Sequence, residues 1–388
     1  MTGGTRTTIL HLAVEYNTPQ RAPTTNAVEQ FVAALDDFDH VVIAYRRVPR
    51  PCAGTESECA AKGHRLYDFP YFGLPLGLGL HEAMREAARR TIARLDADGI
   101  RPDIVHAHKF TFEGIAGHYI ARHFGVPLLV SLRGEVETKV LRRKPELRPL
   151  LRRISAQAAR LYFVSAWFRD EFHAHVPGMA AKERLLPNMV RNLHPVITPA
   201  PAGDALVSVF NLDTWRRKGV RWLLDGFARA RAAEPALRLD IIGGGSATSR
   251  ALVEAMIAKR GLSNHVRLLG PMPNAELLAT LPGYRALVLP SLNETFGMVY
   301  VEALFAGIPV MFTRGTAIDG YLDGLDVALA VPPRDPVAIA EALLDLWRDA
   351  EGYRVRIAEA APQLFAAFDP KQALAHYRDD VAAALRES

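Results

Sequence analysis

Cysteine is almost absent from this 388-residue chain, which carries only Cys52 and Cys59. Both stand in a stretch rich in Pro and Gly without metal-ligand company. That argues against a disulfide framework and a cysteine metal site, and for free thiols in a reducing compartment. No apolar run approaches the roughly 20 residues that a membrane-spanning helix needs. The opening MTGGTRTTILHLAV lacks the layout of a signal peptide and runs straight into a strand-like segment. The expected location is therefore cytoplasmic, with the inner face of the membrane as the one refinement. Also missing is any basic stripe interleaved with aromatic residues, so nucleic acid is not an expected partner. A net charge of +5 and a pI near 9.2 favour anionic partners, a nucleotide diphosphate or an anionic membrane surface among them.

What is present is a soluble globular composition, 49% hydrophobic and 23% charged. The length suits two domains better than one core. Strand-like runs (TTILHLAV, HVVIAYR, DIVHA, VPLLVSL, RLYFVS) alternate with helical periodicity, as in NAVEQFVAAL and HEAMREAARRTIARL. The stretch from His194 to Ala205, with Pro195, Pro199, Pro201 and Gly203, reads as a linker. The pattern then starts again with ALVSVFNL, ALRLDII, HVRLLG, RALVLP, IPVMF and VALAV. These runs predict an α/β protein with parallel sheets. The expected division is a first domain over 1–195, a linker over 196–205 and a second domain over 206–370. A final helix over 371–388 is expected to pack back on the first domain.

In such sheets, chemistry collects in the residues that follow strands. After RALVLP comes SLNETFGMVYVEALFAGIPV, where seven residues separate Glu294 from Glu302. Glu294 falls in the loop at the strand end, and Glu302 inside a helix that starts near Gly297. The amides of Phe296, Gly297, Met298 and Val299 then open that helix, where unpaired donors and the dipole attract an anion. Gly297 lets a phosphate approach the backbone, and Glu302 can accept from the vicinal hydroxyls of a ribose. Upstream, VFNLDTWRRKGVRWLLDGFARA places Arg216, Arg217 and Lys218 in a strand-to-helix loop, a basic turn. LDIIGGGSATSR sets Gly243, Gly244 and Gly245 after a buried strand. Thr248 stands where a dinucleotide fingerprint needs its last glycine, so the run is either a loop lining a nucleotide or a tight turn.

The run from Pro290 to Val310 resembles the signature of the family-four retaining GT-B glycosyltransferases, two spaced glutamates followed by EA and a G-x-P-V strand. The resemblance implies the GT-B fold, two Rossmann-like β/α/β domains facing each other across a cleft. It implies that Glu294 lies beside the hydroxyls of the transferred sugar, that Glu302 binds the nucleotide ribose and that Lys218 grips the leaving diphosphate. Asn211 stands where the family usually carries a second clamping residue, an arginine, which leaves Arg216 or Arg217 to compensate. RGTAIDGYLDG replaces the family's Gly-Gly-x-x-Glu run and looks like a variant among bacterial polysaccharide glycosyltransferases. That points the acceptor towards a growing surface glycan.

The first half resembles the family more loosely. DIVHAHKF places His106 and His108 on one face at a strand end, similar to the family's HAH element. VPLLVSLRGEVETK resembles the T-x-H-G stretch, with Arg133 in place of the histidine that contributes to the reaction centre. Either Arg133 takes an electrostatic role towards the donor, or His108 substitutes in part, or the activity is altered. Glu135, Thr24, Thr25 and Asn26 are candidates for acceptor contacts, and Asn188 in LLPNMV is read as architectural. LRRKPELRPLLRRISAQAARL joins Arg142, Arg143, Lys144, Arg148, Arg152, Arg153 and Arg160 to a leucine-bearing face. It is expected either as a solvated helix or as a contact with an anionic membrane, with YFGLPLGLGL adding an apolar element.

The expected activity is retaining transfer of a hexose-type sugar from a nucleotide diphosphate sugar to a glycan or lipid-linked glycan. Neither metal nor cofactor beyond the donor substrate is expected, and a donor phosphate oxygen assists deprotonation of the acceptor. The alternatives are a sugar-nucleotide epimerase of the same fold and a non-catalytic sugar-nucleotide-binding protein.

Overall fold

Strands rich in Val, Ile and Leu alternate with amphipathic helices along the chain, and each half builds its own sheet. The computed structural model describes residues 6–20, 26–50, 55–59, 63–191 and 193–388. They divide into two units. The first runs to Val164 and adds Phe168–Met189 and Pro370–Ser388; the second comprises Ser165–Trp167 and Val190–Asp369.

The first unit holds eight strands: β1 (Thr8–Ala13), β2 (Asp39–Val48), β3 (Ser57–Cys59), β4 (Arg65–Phe72), β5 (Ile104–Ala107), β6 (Leu128–Leu132), β7 (Arg160–Phe163) and β8 (Glu183–Leu185). Their order is β3-β4-β2-β1-β5-β6-β7-β8, and every pair is parallel except β3–β4. Parallel strands covered on both faces need continuous apolar runs, and Ile9, Leu10, Leu12, Ile43, Ile104 and Leu129 are all fully buried. Each contributes about 1.5–3 kcal/mol of burial free energy. Strands β3, β4 and β8 are additions to the sequence reading, and the buried thiol of Cys59 ends β3 rather than lying in a loop. β4 contains Pro70, which lacks an N–H. It is tolerated because β3 pairs only with Leu66–Asp68, leaving the outer edge of β4 uncovered beyond that point.

The basic segment forms two helices, Glu135–Arg143 and Arg148–Gln157. Leu141, Leu151 and Ile154 are fully buried, while Arg142, Arg143, Arg152 and Arg153 face solvent. This corrects the membrane expectation for these helices: their leucine face belongs to the protein core and is not free for a bilayer. The final helix, Pro370–Glu387, covers one face of the first sheet, its Tyr377 and Val381 sharing a cluster with Ile9, Phe31 and Ile104. Asp380 fastens it by accepting from Arg160 Nε at 2.6 Å and from the Tyr162 hydroxyl at 3.2 Å.

The second unit holds β9 (Leu206–Val209), β10 (Leu239–Ile242), β11 (Val266–Gly270), β12 (Leu287–Val288), β13 (Val310–Thr313) and β14 (Ala328–Val331), all parallel. Their order is β11-β10-β9-β12-β13-β14. All six coincide with the apolar runs of the sequence. The order is that of a doubly wound nucleotide-binding sheet, reversing direction between β9 and β12, where a crevice opens beyond the strand ends. In the first unit the same reversal falls between β1 and β5. No described helix is long and apolar enough to cross a membrane.

Candidate active site

In the second unit, the residues singled out from the sequence gather where the strand order reverses. Lys218 follows β9 and Glu294 follows β12, and the Lys218 ammonium donates directly to a Glu294 carboxylate oxygen. Both side chains are 14% exposed, so the pair is partly desolvated yet reachable. Gly219 makes this approach possible. It adopts φ +68°, and a Cβ there would lie 2.1 Å from the Pro290 carbonyl oxygen. The loop carrying Glu294 is held from behind by three bonds. Ala317 N donates to Glu294 O at 3.0 Å, and Ser165 Oγ and Trp167 Nε1 donate to Thr295 O at 2.6 and 3.1 Å. Ala317 belongs to the RGTAIDGYLDG segment, which thus supports the Glu294 loop from its own backbone.

The helix Met298–Phe305 starts immediately afterwards, capped by Gly297 at φ +70°. A Cβ on Gly297 would meet the Tyr300 ring at 2.5 Å, so only glycine fits. The amides of Gly297, Met298 and Val299 open the helix with no intrahelical acceptor and present its positive end. The Phe296 side chain points the other way, fully buried against Tyr321 and Phe368 at ring distances of 5.6 and 5.9 Å. Glu302 sits in the second turn, half-buried, and burial raises its carboxyl above the ordinary range. Asn274 Nδ2, 3.5 Å away, donates to it and opposes that rise. Asn274 was not anticipated; it opens the helix after β11, and its polar amide in PMPNAE was the available signal.

The other expected donor contacts are placed less directly. Arg216 is exposed and stacks over Trp215 at 4.3 Å. Arg217 is exposed as well, and its carbonyl accepts from Leu292 N at 2.8 Å, tying the basic loop to the end of β12. Asn211 does not reach out: its side chain accepts from Asp213 N at 2.8 Å and caps a short 3-10 turn. Gly243 and Gly245 pack on this turn. A Cβ on Gly243 would lie 1.7 Å from the Phe210 carbonyl oxygen, and one on Gly245 2.7 Å from Leu212 Cβ. Close packing of two loops thus accounts for both glycines.

The first unit brings four histidines together beneath its own reversal point. His11 of β1 and His106 of β5 are register partners, and His108 follows β5 on the same face. His11 Nδ1 lies 3.0 Å from His108 Nε2, and His11 Nε2 lies 3.0 Å from His40 Nδ1. His106 is held by Tyr377 Oη at 3.0 Å and Ser131 Oγ at 2.9 Å. Burial pushes the basicity of all four down, that of His106 to about 3, so all are neutral near pH 7. Ring nitrogens of His11, His106 and His108 fall within 4.8 Å of one another, but direct mutual and hydroxyl hydrogen bonds already account for those of His11 and His106. Arg133 is buried alongside, donating from Nε to His108 O at 3.0 Å and from a terminal nitrogen to Asn188 Oδ1 at 3.1 Å. Asn188 therefore orients Arg133.

Around them lies a buried ionic group that the sequence reading missed. Glu113 Oε1 accepts from Val14 N at 2.8 Å, and Glu137 Oε1 accepts from Phe110 N at 3.3 Å. Lys109 pairs with Glu15 at 2.7 Å. Burial raises Glu113 to about 8, with Lys109 opposing the rise. Of the acceptor candidates, Glu135 is half-buried at the start of its helix, and Asn26 precedes the helix Ala27–Ala33 without a side-chain cap. Thr24 and Thr25 lie outside the described residues.

Comparison with known proteins bears on both halves. Residues 24–189 match the glycosyl transferase 4-like domain model, and residues 203–349 match the model for glycosyl transferases group 1. The D-inositol 3-phosphate glycosyltransferase of Corynebacterium urealyticum is 35% identical over 153 residues, 38% of this chain and 36% of that one. The 2-deoxystreptamine N-acetyl-D-glucosaminyltransferase of Streptomyces fradiae is 26% identical over 333 residues, 78% of this chain and 76% of that one. The chain thus spans about a third of the first relative's length and three quarters of the second's. Among solved structures, the Anabaena protein HepE in complex with UDP superposes with a TM-score of 0.71 at 14% identity, covering 97% of this chain and all of that one. At that identity the likeness concerns the fold. With both halves matched and two doubly wound sheets on the page, the chain belongs to the family-four-like, group 1 glycosyltransferases of the GT-B fold.

Proposed function

We propose that this protein transfers a hexose-type sugar, with retention of configuration, from a nucleotide diphosphate sugar to a hydroxylated acceptor. The observation that carries this reading is the Lys218–Glu294 pair at the β9/β12 reversal, beside the opening turn of the Met298–Phe305 helix. In the free enzyme the two charges satisfy each other. An incoming diphosphate competes for Lys218 and takes the helix amides, which releases the Glu294 carboxylate to accept from sugar hydroxyls. Leaving-group binding and sugar binding are then one event. Arg216 and Arg217, both exposed, extend the cationic edge in the absence of an arginine at Asn211. Glu302 accepts from the ribose hydroxyls, held by Asn274. Lys218 and the helix dipole stabilise the charge that develops as the diphosphate departs, without a metal, and a donor phosphate oxygen receives the acceptor proton.

UDP is the diphosphate to try first, because a protein of this fold carries it. For the acceptor we infer a glycan, in a lipid-linked form, of bacterial surface polysaccharide synthesis. Support for an apolar portion comes from a cavity of about 880 Å³ between β4 and the helix Leu80–Ala97. Beside it, Leu74, Leu76 and Leu78 are 43%, 88% and 58% exposed, with Lys144 close to Gly77. These leucines, and not the basic helices, are the element fitted to an anionic bilayer.

The test is calorimetric titration with UDP, GDP and ADP and their hexose conjugates in the absence of metal. Selective binding of one diphosphate, followed by sugar transfer with retained anomeric configuration, is the expected result. Absence of binding to every nucleotide would sink the reading.

A further inference from the structure

The hydrogen bonds of His40, His11 and His108 leave each of these three rings only one neutral form. His40 Nε2 lies 2.6 Å from the Leu35 carbonyl oxygen, which can only accept, so Nε2 carries the proton. Neutral His40 then has a bare Nδ1, which accepts from His11 Nε2–H at 3.0 Å. His11 Nδ1 is bare in turn and accepts from His108 Nε2–H at 3.0 Å. The series ends at His108 Nδ1, a lone pair with no partner among the described residues. His108 lines a cavity of about 20 Å³ together with Ser131, Arg133 and Asn188, room for about one water-sized group.

We propose that Leu35, His40 and His11 fix the tautomer of His108, so that His108 offers Nδ1 as an acceptor to a hydroxyl of the sugar or polyol bound by the first unit. The nature of the ligand rests on the glycosyl-transfer reading, whereas the order of tautomers does not. The chemistry of the cavity selects the ligand class. Arg133 donates and never accepts, while Nδ1 of neutral His108 accepts and never donates. A hydroxyl supplies the proton that Nδ1 needs and carries no charge to oppose that of Arg133. A fully ionised anion such as sulfate brings no proton for Nδ1, and an ammonium meets the Arg133 charge. His40 and His11 are positioning residues that act through His108. Their effect is directional, because one backbone carbonyl at the far end sets every proton in the series.

Long-range proton–nitrogen correlation spectra of protein labelled with nitrogen-15 histidine read the tautomers directly. The wild-type spectrum is expected to show His40, His11 and His108 each protonated at Nε2 and bare at Nδ1. His40→Gln offers a carbonyl to His11 and an N–H to Leu35, and is expected to keep the His108 pattern. His40→Leu removes the acceptor and is expected to convert His11 and His108 to mixtures of both tautomers. Glucose is expected to shift the His108 Nδ1 resonance of the wild type, and sulfate is not. A wild-type His108 protonated at Nδ1, an unchanged tautomer in His40→Leu, or a shift with sulfate but not glucose would overturn the proposal. Should His40→Leu fail to fold, the wild-type and His40→Gln spectra decide. Nucleotide titration of the same samples reports the second unit separately, so a failed donor reading is distinguishable from a failed tautomer reading.

Discussion

The two units share a doubly wound strand order around a reversal point and fill that point in opposite ways. In the second unit the crevice holds opposite charges, Lys218 and Glu294, each 14% exposed. In the first it holds four neutral imidazoles and, close by, a carboxyl raised to about 8. On the proposed reading, the difference separates what each half meets. A site for an anion keeps a cation ready and stores its charge against a partner that the ligand can displace. A site for a neutral hydroxyl is served by groups whose charge burial has suppressed and whose protons hydrogen bonds have fixed.

The largest expected effect breaks the second unit's half of this comparison. Gly219→Ala places a Cβ against the Pro290 carbonyl at positive φ. It should cost about 2–4 kcal/mol of stability in denaturant titration and weaken nucleotide binding with it. Next, Lys218→Ala should reduce affinity for a nucleoside diphosphate about tenfold to a hundredfold, in keeping with a lost charged hydrogen bond. Calorimetry should find the free nucleoside nearly unaffected, and an equal loss for both ligands would remove the clamp. Glu302→Ala should weaken nucleotide binding by about tenfold, roughly 1.4 kcal/mol. Glu294→Ala removes the carboxylate that competes for Lys218. It should therefore leave nucleotide affinity undiminished or slightly raised while depressing turnover, and a loss of affinity matching that of Glu302→Ala would erase the division of labour.

The pH dependence of stability sharpens the other half. Glu113 keeps its proton up to about pH 8 in the folded chain, against an ordinary value of 4.5. Above about pH 4.5 the unfolded state loses this proton first, so stability falls as pH rises towards 8, by at most about 1.4 kcal/mol per unit. The buried histidines act in the opposite direction. Below pH 6.5 the unfolded state takes up protons that His11, His106 and His108 refuse, so stability also falls on acidification. Thermal melting should therefore peak near about pH 6.5–7, and Glu113→Gln should flatten the alkaline side alone. The smallest effect belongs to the surface. Arg142→Ala breaks a bidentate contact with Glu171, but the arginine is 63% exposed, and the change should stay within about 0.5 kcal/mol.

The second unit was the more legible in sequence, for a physical reason. Its six strands are short apolar runs bounded by turn residues, and its candidate site side chains are charged residues just after strand ends. Both signals are local. β4 was missed because RLYDFPYF carries Asp68 and Pro70, whose acceptance depends on Arg46 pairing with Asp68 at 2.7 Å and on an open sheet edge. The histidine series was only half visible. His106 and His108 stand out by alternation, but His40 is 29 residues from His11 and Tyr377 is 271 from His106. The clue was ILHLA and DHVVI, where a histidine interrupts an otherwise apolar strand. A polar residue in a strand buried on both faces must find a partner, and sequence alone does not say which.

The helix Pro370–Glu387 completes the first unit from the far end of the chain, and this gives the protein an order of assembly. Its Tyr377 and Asp380 are synthesised only after every residue of the second unit. At about 5–20 residues per second, the 1–189 portion waits roughly 10 to 40 s before its sheet face is covered. Through that interval Ile9, Phe31 and Ile104 lack the helix that covers them. A chain released before Pro370 would therefore display an apolar surface in the first unit while holding every residue of the second.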